Sequence, residues 1–265
     1  MFKQRLISSI FVFLLTVTFI VLGGQALFIG LLLISLVGLM ELYRVIKLNK
    51  SVIGFLGYIA CIVYYLFLYF KFDNYLMLFI GFLLLTMMAY VVTFPKYNID
   101  QVVYVFFGLF YVAIMLSFIY KVRILDMGTY LVWLIFISAW GSDTSAYLVG
   151  MSMGKRKFLP KLSPKKTLEG CIGGIVGAAL IGYLYGLVFA DNFTTINNPK
   201  LVFTIICGSA SIISQLGDLA ASAIKRNHDI KDYGKLIPGH GGILDRFDSI
   251  IFVAPLVYYL ITVIA

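Results

Sequence analysis

The 265 residues are 62% hydrophobic and 12% charged, with a net charge of +9 and a mean hydropathy of +1.00. Soluble domains carry about 25% charged residues, and a water-soluble fold of this length has no interior large enough for so much apolar surface. The composition leaves an all-α polytopic membrane protein, and no nucleic-acid partner is expected.

Roughly 20 apolar residues cross a bilayer as a helix. That length predicts nine spans, at about 6–23, 26–45, 52–70, 75–94, 101–120, 127–149, 170–190, 200–222 and 248–265. The first run has the basic start of a signal peptide but is longer than a typical signal core, so it reads as a retained helix. A short Gly-Gly turn joins it to the second, and the pair is either two full spans or a hairpin. With the N-terminus inside, only Lys71, Lys121, Arg123 and Lys200 of the 21 lysines and arginines fall outside. This bias supports a cytoplasmic N-terminus. Cys61, Cys171 and Cys207 lie far apart in apolar runs and read as small buried side chains.

Two long connectors, 150–169 and 223–247, fall on the same predicted cytoplasmic face. Residues 1–125 have almost no intramembrane charge and read as scaffold; residues 126–265 hold nearly all the chemistry. In "ISAWGSDTSAYLVG" the sixth span places Asp143 near its cytoplasmic end among hydroxyls. An ionisable group there is either functional or an interfacial tie between helices. In the eighth span Ser211, Gln215, Asp218, Ser222 and Lys225 recur at helical spacing, which makes either a hydrogen-bonded seam or one wall of a cavity. The connector "MGKRKFLPKLSPKKTLEG" offers Ser163, Lys165, Lys166 and Thr167 close together. It suits lipid headgroups or a specific anion site equally.

The stretch "IKDYGKLIPGHGGILDRFDS" is the most concentrated. Gly239, Gly241 and Gly242 around His240 allow positive φ and close approach to a ligand, and their amides could form an anion nest. Asp245 and Asp248 share a face at the start of the last helix, beside Arg246. Such carboxylates suit a hard cation, Mg2+, with room for a second. His228 sits in the solvated connector and reads as incidental.

From Ser222 onward, "SAIKRNHDIKDYGKLIPGHGGILDRFD" resembles the signature of the phosphatidate cytidylyltransferase (CDP-diacylglycerol synthase) family. The matching positions are Ser222, Lys225, Arg226, Lys231, Asp232, Gly234, Pro238, His240, Gly241, Gly242, Asp245, Arg246 and Asp248. "SDTSAYLVG", "LSPKKTLEG" and "QLGDLAAS" extend the likeness over roughly 130–265. Ala221 departs from it, standing where many members carry a glutamate. The resemblance implies a cell-membrane enzyme that joins CTP to phosphatidate on the cytoplasmic face, releasing pyrophosphate and CDP-diacylglycerol.

It further implies Asp218 and Asp245 as principal metal ligands, with Asp248 and Asp143 in support. Lys225, Arg226 and Lys166 would hold phosphates, with hydrogen bonds from Ser222 and His240. A homodimer is kept open, and nothing in the sequence picks out a cytosine pocket. A CTP-dependent lipid kinase and a cation-coupled transporter remain as alternatives, separated by their products and by uptake without nucleotide.

Overall fold

The computed structural model describes residues 2–193 and 196–264, with side chains from Ser8 onward apart from Ser9. Lys3 and Arg5, which belong to the expected inside set, lie outside the described side chains. Among the described residues twelve helices follow one another: α1 Phe2–Leu22, α2 Gly24–Val45, α3 Val52–Tyr69, α4 Tyr75–Val92, α5 Ile99–Gly108, α6 Met115–Arg123, α7 Gly128–Leu131, α8 Trp133–Phe136, α9 Ser142–Met153, α10 Leu168–Phe189, α11 Pro199–Asn227 and α12 Leu244–Ile264. Wider π-helical turns fill Leu109–Ile114 and Ile137–Gly141. Among the described residues the only extended pairing is two isolated bridges, Lys157 with Thr167 and Ile237 with Gly241.

Among the described residues seven helices are long and apolar enough to cross a bilayer: α2, α3, α4, the run Ile99–Arg123, α10 with its last turn, α11 and α12. The chain is therefore a multi-pass membrane protein. The two remaining expected spans are helical but fall short of that measure. In α1 the apolar helix with described side chains is Ile10–Leu22. The segment from Gly128 to Met153 is broken at Val132 and again by the π-turn. Gly23 and Gly24, at φ 61° and 47°, make the sharp link between α1 and α2.

The chain forms two compact units. Met1–Ser117 joins Asp232–Arg246 in one, and Phe118–Lys231 joins Phe247–Ala265 in the other. The glycine-rich stretch thus belongs with the N-terminal helices, although the sequence grouped it with the C-terminal half.

In the first unit α2, α3 and α5 pack together around buried polar pairs. The Tyr43 hydroxyl donates to the Val105 carbonyl at 2.8 Å, close against Gly57 and Gly108. Tyr65 and Ser35 share a 2.8 Å hydrogen bond, as do Tyr64 and Ser117. Away from water each such group must find a partner, and each does. In the second unit α10 lies against both α9 and α11. Gly170, Gly174, Ala178, Gly182 and Gly186 form a buried row at every fourth position. A Cβ on Gly174 would crowd Ser142, and one on Gly182 would collide with the Phe203 carbonyl and Cys207. Small residues at this spacing bring the backbones close enough for direct packing.

Candidate active site

In the second unit the site begins with the connector that leads into α10. Phe158 N–H donates to the Lys166 carbonyl at 3.0 Å, and Leu168 N–H to the Arg156 carbonyl at 2.9 Å, folding the connector back on itself. Glu169 latches its start by accepting from the Lys155 and Arg156 amides at 3.1 and 3.2 Å. Thr167 caps α10, taking the Gly170 amide at 3.2 Å. The loop is therefore ordered by its own bonds; Lys155, Arg156, Lys157, Lys161 and Lys165 are exposed on it, and Lys166 alone of its basic residues is half-buried. Ser163 is half-buried in the preceding turn, and Lys165 is exposed.

The Lys166 ammonium lies 2.5 Å from Asp218 Oδ2, the two side chains being 23% and 30% exposed. One residue expected to hold phosphate is thus paired with one expected to hold metal. Asp248 lies within electrostatic reach of Asp218, Lys225 and Asp143. Its backbone carbonyl closely faces Gly217, whose missing side chain lets α11 approach α12. Asp143 is exposed at the first turn of α9, directly after a π-turn. Such turns add a residue to the helical register and re-aim the side chains that follow. Ser222 and Lys225 are half-buried on the last turns of α11, whereas Arg226 and Lys231 are exposed.

The polar stripe of α11 divides by height. Ser211 Oγ donates to Ser142 Oγ at 2.7 Å, both residues fully buried. One turn further on, Gln215 Nε2 donates to the Cys171 carbonyl at 3.0 Å. These are seam contacts between helices. From Asp218 onward the stripe carries charge. Hydrogen-bonded seam contacts and the charged residues thus occupy successive turns of one helix, and Gln215 also lines a cavity.

In the first unit the glycine turn is built around carboxylates. Gly239 and Gly241 take φ 77° and 87°, the left-handed region that favours glycine. Gly242 does not; a Cβ there, or on Gly234, would collide with the Glu41 carboxylate. Glu41, 2% exposed in α2, accepts from the Ile243 amide at 3.1 Å and the Leu244 amide at 3.0 Å. Asp245 Oδ2 accepts from the Tyr233 and Gly242 amides at 2.8 and 2.9 Å. The nest expected to await a substrate anion thus already holds the protein's own carboxylates at these amides. Charge at a helix N-terminus satisfies the orphan amides of the first turn, and here α2 supplies it to α12. His240 is half-buried, with its amide on the Ile237 carbonyl at 3.0 Å, and Arg246 is exposed.

Glu41 was missed by the sequence reading, which treated residues 1–125 as scaffold. The available signal was a lone acid within the apolar run Gly24–Val45, since an intramembrane carboxylate needs a partner.

Among the described residues no three carboxylate, histidine or cysteine side chains are gathered into a ready-made metal cage. Mg2+ does not need one. It keeps several waters and binds through one or two carboxylates together with substrate phosphates. Asp218 and Asp248, hard oxygen donors close to one another, fit that pattern. Asp245 has the backbone hydrogen bonds that commonly orient a ligating carboxylate.

Comparison with known proteins covers nearly the whole chain. The phosphatidate cytidylyltransferase of Bacillus subtilis (strain 168) is 33% identical over 98% of this chain and 97% of its own length. That of Staphylococcus haemolyticus is 34% identical over 98% of both. The Staphylococcus saprophyticus protein of the same name is 43% identical over 57% of this chain and 55% of its own. The profile of the cytidylyltransferase family matches residues 3–264, so the chain belongs to that family.

Proposed function

We infer that this chain is a CTP:phosphatidate cytidylyltransferase whose chemistry is carried by the Lys166–Asp218 pair. In the reaction a phosphate oxygen of phosphatidate attacks the α-phosphorus of CTP. A new P–O–P linkage forms, and the bond from the α-phosphorus to the bridging oxygen breaks. Pyrophosphate departs with the electron pair, leaving CDP-diacylglycerol. The nucleophile is already anionic, so positioning and charge neutralisation matter more than a strong base.

The observation that carries this reading is the Lys166–Asp218 ion pair at 2.5 Å. The Lys166 ammonium is shielded from solvent and has no hydrogen-bond partner among the described residues. A phosphate oxygen arriving at Lys166, together with a divalent cation at Asp218, would keep both charges compensated when the pair opens. A bound Mg2+ would supply charge neutralisation to the phosphates, held by Asp218 and Asp248 with Asp143 nearby. Lys166 and Lys225, in the same unit, would bind phosphate oxygens. The charge bias along the sequence supports a cell-membrane orientation that turns this centre to the cytoplasm, where CTP is available.

The test uses purified protein with CTP, phosphatidate and Mg2+, and resolves the products. CDP-diacylglycerol and pyrophosphate are expected. Lipid phosphate with CDP would identify a kinase instead. Thiol labelling of cysteines introduced into 150–169 and 223–247 of intact cells is expected to miss both connectors, and labelling from outside would reverse the orientation.

A further inference from the structure

The second unit contains a cavity of about 320 Å³ between α9, the start of α10 and α11. That volume falls at the lower end of the range typical of small-molecule sites. Gln215, Thr167, Tyr147, Cys171, Lys165 and Lys166 contribute to its wall. We propose that it holds the cytosine of CTP, with Gln215 as the residue that distinguishes cytosine from uracil. The proposal rests on the functional reading above.

The argument starts from hydrogen-bond polarity. Gln215 is 8% exposed, and its Nε2 donates to the Cys171 carbonyl at 3.0 Å. That bond fixes which way the amide points and leaves Oε1 as its acceptor. No donor among the described residues is bonded to Oε1. Thr167, 7% exposed, is the complement. Its oxygen takes the Gly170 amide, while its hydroxyl proton has no acceptor among the described residues. One cavity is thus lined by a residue with an unused, oriented acceptor and by one with an unused donor, both buried.

Cytosine fits that pair. Its exocyclic amine donates to an acceptor, and its ring nitrogen and carbonyl oxygen accept from a hydroxyl. Uracil carries a carbonyl where cytosine has the amine, so it would set oxygen against Gln215 Oε1. Phosphatidate fits less well, because its ester oxygens only accept and its acyl chains offer no hydrogen-bonding group. The exposed ring of Tyr147 lines the same cavity and is available to a base face. Lys165 and Lys166 contribute cationic side chains to the wall, placing the phosphates of a nucleotide toward Asp218. A site that hydrogen-bonds one substrate group rejects the analogue lacking it, because its own buried polar atom is then left unpaired.

Two measurements on the full chain decide it. Gln215→Met keeps the bulk and removes the acceptor. The ratio of kcat/KM for CTP over UTP, with phosphatidate held constant, should fall at least about tenfold, mainly through the KM for CTP. The second uses the wild-type protein and is independent of how the variant folds. CTP, but not UTP at equal concentration, should slow alkylation of the half-buried Cys171, with buried Cys61 and Cys207 as internal references. An unchanged ratio, or equal protection by both nucleotides, overturns the cytosine assignment. Protection by phosphatidate micelles alone, with a raised KM for the lipid, makes the cavity a headgroup pocket and also overturns it. Failure of the wild type to form CDP-diacylglycerol overturns the functional reading instead.

Discussion

Two groups of carboxylates in this molecule meet opposite fates. Asp218 in the second unit is half-exposed and faces a side-chain ammonium on a flexible stem. Glu41 and Asp245 in the first unit are buried and face backbone amides that cannot move away. A carboxylate held by fixed dipoles orders the chain around it. One held by an ammonium at the end of four methylenes can change partner. Glu41 and Asp245 therefore order the chain around them, and Asp218 is the carboxylate proposed for the chemistry.

The sharpest way to break this comparison is Asp218→Ala. Loss of a direct metal ligand should lower turnover by more than about 100-fold, since even outer ligand partners cost 10–100-fold. No Mg2+ concentration should restore it, while insertion and thermal stability persist. Rescue by metal would place the primary ligand elsewhere. Asp245→Asn tests the middle ground. The amide oxygen can replace Oδ2 on its two backbone donors, so the turn should survive. Turnover is expected to fall on the order of tenfold or more, with a raised Mg2+ requirement. An unchanged Mg2+ titration would confine Asp245 to ordering the turn.

Glu41→Gln moves the effect from rate to stability. Its amide can accept one of the two backbone hydrogen bonds but sets an N–H against the other. An unpaired buried amide costs about 1–3 kcal/mol, and each kcal/mol lowers the unfolding midpoint by about 2–4 °C in a chain of this size. A thermal scan in detergent without substrates reads this directly, and an unshifted midpoint would remove Glu41 from its capping role. Asp143→Ala should have the smallest effect: a measurable rate with a Mg2+ requirement raised by roughly tenfold or less. A dead Asp143 variant beside a metal-rescued Asp218 variant would invert the ranking and move the primary site to α9.

Much of this was legible in the sequence because charge is scarce in an apolar chain. Asp218, Lys166 and the glycine turn stand out against residues that only need to face lipid or pack. Seven of the nine expected spans were equally plain, since each long apolar run forms its own backbone bonds. Three features were not legible. The π-turn before Ser142 leaves no compositional mark, yet it shifts the register of the helix that carries Asp143. The Lys166–Asp218 pairing joins two residues assigned separate ligands, and only geometry shows them sharing one contact. Glu41 was hidden because its partners are backbone amides, which carry no side-chain identity. The glycine row of α10 was readable by its period of four, but a search for charge passes over it.

The hydrogen bond from Ile243 to Glu41 links positions 202 residues apart. Synthesis at about 5–20 residues per second means that α2 emerges roughly 10–40 s before its partner amides exist. During that interval the Glu41 carboxylate needs water or a temporary donor, and the first unit lacks the segment that closes it. The last closure of that unit therefore waits for Asp232–Arg246 to leave the ribosome. A chain arrested before residue 232 should expose Glu41 to aqueous carboxyl reagents, and the finished chain should bury it.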